Sequence, residues 1–264
     1  IRSAVNETMD KAMTRIVRDS YVENLFEMVP SAKKVGVVNL MEIAMRAKLG
    51  KPVERPIGSP LPFSPWEQLL FNPVHLDKFP VKEDAPINKR VTIGRRAQKP
   101  LDIEIPVMIA GMSFGGALSK RAKIALAKAA TGAGTATNSG EAGLLEEERA
   151  AATKFIGQFN RGGWMNTPDK YKRLDAIEIQ LGQGAQGSSP QRTAAQSIGE
   201  DFRKVFGLKP GEDALIRSRL PGVETKDDFV KLVKRLRKET GVPVGLKIAA
   251  THRLEKELAI ALEA

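Results

Sequence analysis

Cysteine is absent from the 264 residues, and histidine occurs only twice, as His75 and His252. Without thiols these residues can form no disulfide, cysteine nucleophile, iron–sulfur cluster or thiolate-ligated zinc site. Two imidazoles exclude a histidine-rich metal site as well. Aromatic residues make up 5% of the chain, and no RNA-recognition, zinc-finger or helix–turn–helix pattern accompanies them. No apolar run approaches the roughly 18 residues a membrane helix requires, and Ile1-Arg2-Ser3 is read as opening no secretory signal. The lack of cysteine fits a cytoplasmic protein.

The chain does hold enough apolar material for a sizeable core. Hydrophobic residues are 42% and charged residues 28%, the texture of one large globular domain or one domain with an appendage. Lysine and arginine number 42 against 31 acidic residues, a formal charge of +11. The densest basic run, Lys231, Lys234, Arg235, Arg237 and Lys238, sits in the second half of one expected helix, where cations complement the helix dipole. The excess is therefore read as serving solubility and anionic small ligands, with neither nucleic acid nor membrane as partner.

Organisation changes along the chain. Residues 1–50 read as amphipathic helices: Val5, Met9, Met13, Ile16 and Val17 fall at helical spacing, Leu25, Phe26 and Val29 precede Pro30, and a segment 40–49 stops at Gly50. Between Pro52 and Pro100 repeated prolines interrupt any regular element. Phe63, Trp66, Leu69, Leu70, Phe71 and Phe79 are interleaved with them, which predicts an ordered wrap rather than a disordered linker. Beyond residue 100 strand and helix alternate: strands at 103–110, 134–137, 176–181 and 244–248, and helices at 117–130, 144–155, 225–240 and 253–264. Leu118, Ala122, Ala125, Leu126 and Ala129 form the expected inner stripe of the first of these helices. Such alternation implies a parallel α/β sheet with crossover helices, open or closed into a barrel.

Two strands carry polar residues on one parity. Glu178 and Gln180 alternate with Ile177, Ile179 and Leu181, while Gly245, Lys247 and Ala249 alternate with Val244, Leu246 and Ile248. Side chains alternate faces along a strand, so when the apolar set meets the helices the polar set points into a barrel lumen. A lysine there needs an anionic or hydrogen-bonding companion. That companion is either Glu178 or a ligand, and the small neighbours Gly245 and Ala249 leave room for a ligand. The loops after three strands agree. Gly111-Met112-Ser113-Phe114-Gly115-Gly116, Thr137-Asn138-Ser139-Gly140-Glu141-Ala142-Gly143 and Gly182-Gln183-Gly184-Ala185-Gln186-Gly187 combine glycine with polar groups on the rim where βα barrels keep their active sites.

Gly111-Met112-Ser113-Phe114-Gly115, Ala133-Gly134-Thr135-Ala136-Thr137-Asn138-Ser139-Gly140-Glu141, Ala176-Ile177-Glu178-Ile179-Gln180-Leu181-Gly182-Gln183-Gly184-Ala185 and Val244-Gly245-Leu246-Lys247 resemble the FMN-binding synthase domain of glutamate synthase, above all its stand-alone form. The resemblance runs in order from about residue 100 to the end, and residues 1–99 are similar to the N-terminal extension of the stand-alone proteins. It implies a (β/α)8 TIM-barrel type of which about four βα units are present, with 1–99 as helical extension and wrap and 100–264 as the N-terminal half of the barrel. It also implies an FMN-dependent oxidoreductase that reduces the imine of 2-oxoglutarate and ammonia to L-glutamate. Alternatives within that frame are an N-methylglutamate-synthase-like transferase, or a half-barrel subunit that works only with a complementing chain or a second copy. By position, Gly111, Met112, Ser113, Asn138, Gln180 and Lys247 would bind FMN, and Glu141 and Lys247 would be catalytic. Glu141, Arg161 and Gln183 would address a 2-oxo acid or amino acid, the arginine as a bidentate carboxylate fork. The family usually has lysine at Gln180 and at Gln186, and Gly-Glu-Gly-Gly where this chain has Gly187-Ser188-Ser189-Pro190. The loops after strands seven and eight, which normally hold a barrel cofactor's phosphate, do not occur in these residues.

Overall fold

The protein is described by a computed structural model covering residues 5–9, 11, 28–50, 68–184, 186 and 188–264. The expected stripe residues Met13, Ile16, Val17, Leu25 and Phe26, and Phe63 and Trp66 of the wrap, lie outside the described residues. The chain divides into two compact units, 1–85 and 86–264.

In the first unit, α1 (Met28–Val35) and α2 (Val37–Leu49) are separated by Gly36. The stop at Gly50 is real: its backbone is left-handed at φ 63° and its N–H donates to the Arg46 carbonyl. No regular element forms from 70 to 85, as its prolines predict, and Leu70, Phe71 and Phe79 are exposed.

The second unit opens with an antiparallel hairpin, β1 (Val91–Ile93) against β2 (Leu101–Ile103). This pairing carries residues 91–99 into the second unit, so the division falls ahead of the expected 99–100. Then come α3 (Lys120–Gly132), β3 (Thr137–Asn138), α4 (Glu146–Ala151), β4 (Phe155–Phe159), α5 (Pro168–Tyr171) and β5 (Ala176–Gln180). An insertion follows, with β6 (Gln191–Thr193), a 3-10 turn, α6 (Glu200–Phe206) and β7 (Ala214–Ile216). The chain then completes α7 (Lys226–Thr240), β8 (Val244–Lys247) and α8 (Leu254–Glu263). Four parallel strands lie side by side in chain order, β3-β4-β5-β8. A doubly wound sheet reverses its order at a switch point; here there is no reversal, the arrangement of a partial (β/α)8 barrel.

Helix α7 shows why this half folds. Thr225 and Asp228 form a reciprocal capping box, and Gly241 ends the helix at φ 72°. Between them Phe229, Leu232, Val233 and Leu236 share one face and are buried. They join one core with Phe155, Phe159, Ile177 and Ile179 from the strands. A second cluster, Phe114, Leu145, Trp164, Ile198 and Phe206, lies where the insertion meets the βα loops.

Three local expectations differ from the structure. The expected strand 103–110 is not a ladder: Leu101 and Ile103 pair in the β1–β2 hairpin, Pro106 has no N–H to give, and Ile109 keeps one bond to the Ala136 carbonyl. The expected helix 144–155 ends at Ala151, and Phe155 begins β4. Finally, α3 is turned by about one residue. Lys123, Ala127 and Ala130 face inward, while Ala125 and Ala129 are exposed. The element is rich in alanine on all sides, so apolarity alone does not orient it.

Candidate active site

A cavity of about 370 Å³ opens at the C-terminal ends of the parallel strands. Ligand sites typically span roughly 300–1,000 Å³. One wall is polar, made by Glu141, Gln158, Gln180, Gln183, Gln186 and Lys247. The loop Gly111, Met112, Ser113 crosses it, and Phe202, Phe206, Trp164 and Ile216 form an apolar wall. The apolar wall comes from the insertion and the loop after β4. Phe202 and Phe206 stack at 3.8 Å, and Trp164 lies 4.4 Å from Phe206.

Strand register builds the polar wall. Gln158 stands beside Glu178, and Gln180 beside Lys247, so residues of one parity face the lumen together. The Glu178 Oε1 accepts from Gln158 Nε2 at 2.6 Å and from Asn138 Nδ2 at 3.3 Å. Glu178 is therefore engaged by its neighbours on β3 and β4. Among the described residues the Lys247 side chain makes neither ion pair nor hydrogen bond, and the residue is half-buried on the cavity wall. Beside it the Gln180 Oε1 is buried without a partner.

The two glycine loops touch backbone to backbone. A Cβ on Gly111 would sit 2.6 Å from the Gln158 amide, and one on Gly140 would sit 2.4 Å from the Met112 carbonyl carbon. Gly140 also has φ 68°, a region L-residues rarely adopt. Its N–H donates to Asn138 Oδ1 at 2.9 Å, an Asx turn. Asn138 is thus buried behind the loop rather than on the cavity wall.

Arg161 lies deeper than its expected role requires. It is fully buried, donating from Nε to Glu141 Oε1 at 3.4 Å, from Nη2 to Gln186 Oε1 at 2.8 Å and from Nη1 to the Ser189 carbonyl at 3.4 Å. It stands behind Glu141 and does not line the cavity. The second Glu141 oxygen, Oε2, is buried with no partner. Residues that sequence reasoning passed over include Gln158, hidden within an unrecognised strand, and the aromatic wall, hidden within an insertion whose pattern carried no motif.

Residues 65–264 match the family model for the conserved region in glutamate synthase. The chain belongs to the glutamate synthase family. It is 31% identical over 217 residues to a glutamate synthase large subunit-like protein of Rhizobium meliloti, covering 81% of this chain and 49% of that protein. It is 28% identical over 241 residues to the archaeal-type glutamate synthase [NADPH] of Thermotoga maritima, covering 82% and 47% respectively. The archaeal glutamate synthase [NADPH] of Methanocaldococcus jannaschii matches at 30% over 166 residues, 62% of this chain and 32% of that one. The chain therefore spans about half the length, or less, of these family members. A mandelate oxidase mutant with the C4a-OH-FMN adduct overlays 66% of this chain and 50% of its own at 18% identity and a TM-score of 0.38, too slight a likeness to argue from. Among the described residues no helix is long and apolar enough to cross a membrane.

Proposed function

We propose that this member of the glutamate synthase family carries the ring-binding half of an FMN site and reduces a 2-imino acid, formed from 2-oxoglutarate and ammonia, to L-glutamate. The observation that carries this reading is the unpartnered Lys247 on the cavity wall beside the orphaned Gln180 Oε1. A half-buried ammonium and a buried amide oxygen without partners are costly unless a ligand meets them. A ring with alternating donors and carbonyls satisfies both.

When bound, FMN supplies a hydride to the imine carbon. Lys247 would face the ring edge where negative charge gathers, a fixed cation that favours reduction. Glu141 would hold the substrate nitrogen: its free Oε2 can accept the N–H of a protonated imine, the form more open to hydride. Arg161, clasping the other oxygen, would hold that carboxylate in place. Gln183 would offer its amide to a substrate carboxylate, and the aromatic wall would exclude water.

The test is a redox titration of the FMN-loaded protein and of Lys247→Ala. The variant should bind flavin with a lower midpoint potential; an unchanged potential would remove Lys247 from its assigned role, and a protein that takes up no FMN would end the reading.

A further inference from the structure

We propose that Lys123, which no part of the cavity-lining set includes, is a positioning residue whose buried ammonium locks the two glycine loops together in the geometry that receives the flavin. The inference rests on the reading of the cavity as an FMN site and adds to it a residue outside the cavity wall.

Lys123 projects inward from the first turn of α3 and is 1% exposed. Its Nζ donates to the Met112 carbonyl at 2.8 Å, the Asn138 carbonyl at 2.8 Å and the Ser139 carbonyl at 3.3 Å. It also lies 2.9 Å from Oε1 of the equally buried Glu148 on α4. Three backbone acceptors from two different loops thus converge on one cation. Among the described residues no direct hydrogen bond joins 111–117 to 138–143, so the ammonium is the polar link between them. Beyond that the loops meet in bare contact, Gly140 against Met112 and Ser113 and Gly111 against the Asn138 side chain.

The link also has a direction. In a planar trans peptide the N–H points opposite to the carbonyl. Holding the Met112 carbonyl toward α3 therefore turns the Ser113 N–H away from α3, and that amide has no acceptor among the described residues. Met112 and Ser113 both line the cavity, which makes this amide a prepared donor for a ligand's carbonyl or ring nitrogen. Glu148 makes no hydrogen bond to either loop; its carboxylate offsets a charge that the three carbonyls already solvate, and a glutamine in its place keeps an oxygen toward the ammonium.

An ion pair kept only for stability can be replaced by well-packed apolar residues at little cost. The double variant K123M/E148L makes that replacement and removes the three carbonyl bonds. Urea unfolding, FMN affinity by fluorescence quenching and amide hydrogen exchange of the flavin-free protein over 112–141 are compared with wild type. The expected result is a folded protein with at least tenfold weaker FMN binding and faster exchange in the two loops. Wild-type affinity with wild-type exchange in the folded double variant overturns the proposal. E148Q keeps the lysine and its carbonyls, and should bind FMN as wild type does even if the double variant fails to fold; a tenfold loss in E148Q would assign the effect to charge neutralisation and overturn the clamp. Should wild type bind no FMN, the functional reading falls, while loop exchange still reports whether Lys123 ties the loops.

Discussion

Gly140 and Glu148 show how single atoms set the site. At Gly140 a methyl group would meet the Met112 carbonyl carbon and the Ser113 nitrogen at 2.4 and 2.5 Å, on a backbone at φ 68°. Gly140→Ala combines a left-handed penalty with overpacking and should cost about 2–5 kcal/mol, read as a lower urea midpoint. At Glu148 burial pushes the carboxyl from its ordinary 4.5 up to about 7, despite the Lys123 ammonium beside it, and burial likewise pulls Lys123 down. An acid with a higher pKa folded than unfolded makes the native state the tighter proton binder. Its contribution therefore falls as pH rises from about 4.5 to about 7, and is level above that, with a slope approaching ~1.4 kcal/mol per pH unit. Wild type should lose stability relative to E148Q over that window in urea titrations at pH 5, 6, 7 and 8; parallel curves would mean Glu148 does not titrate there.

At the scale of elements, α7 was readable from one end to the other. Its capping pair, its apolar spacing and its terminal glycine all sit within the helix or next to it. The Asp228 carboxyl is held below its ordinary range first by the Thr225 hydroxyl, then by backbone N–H groups. Thr225→Ala should cost about 1 kcal/mol, a fall of roughly 2–4 °C in Tm for a unit of this size, checked by calorimetry. Strand β4 was not readable in the same way. All five of its residues are buried, so Phe155-Ile156-Gly157-Gln158-Phe159 shows no alternation, and the acidic helical run before it absorbs its first residue. Helix α3 failed differently: its existence was plain, but alanines on every face left its rotation to be chosen by where a lysine could find carbonyls.

For the whole molecule, the parallel sheet ends at β8, which has no strand on its outer side among the described residues. An open edge is a template for further pairing, and the matched region spans only about half the length of the relatives. The 264-residue chain produced alone should self-associate as concentration rises, measured by sedimentation or light scattering. A strictly monomeric protein across a hundredfold range would mean that the edge is covered. The polar parity places Gln180 and Lys247 on the cavity wall, yet whether Glu178 and Lys247 pair was decided elsewhere: Asn138 and Gln158, 40 and 20 positions away from Glu178, take its oxygen.

Local order carried the fold class, the run from α7 into β8, the glycine loops and the polar strand faces, because each is written in residues a few positions apart whose periodicity and turn chemistry act alone. Tertiary structure chose the partners: Arg161 for Glu141 and Gln186, Lys123 for carbonyls 11 to 16 residues distant, and an aromatic insertion for the far wall of the cavity. A buried charge goes to whichever acceptors the packed chain brings within about 3 Å, and that neighbourhood exists only after the strands have taken their register.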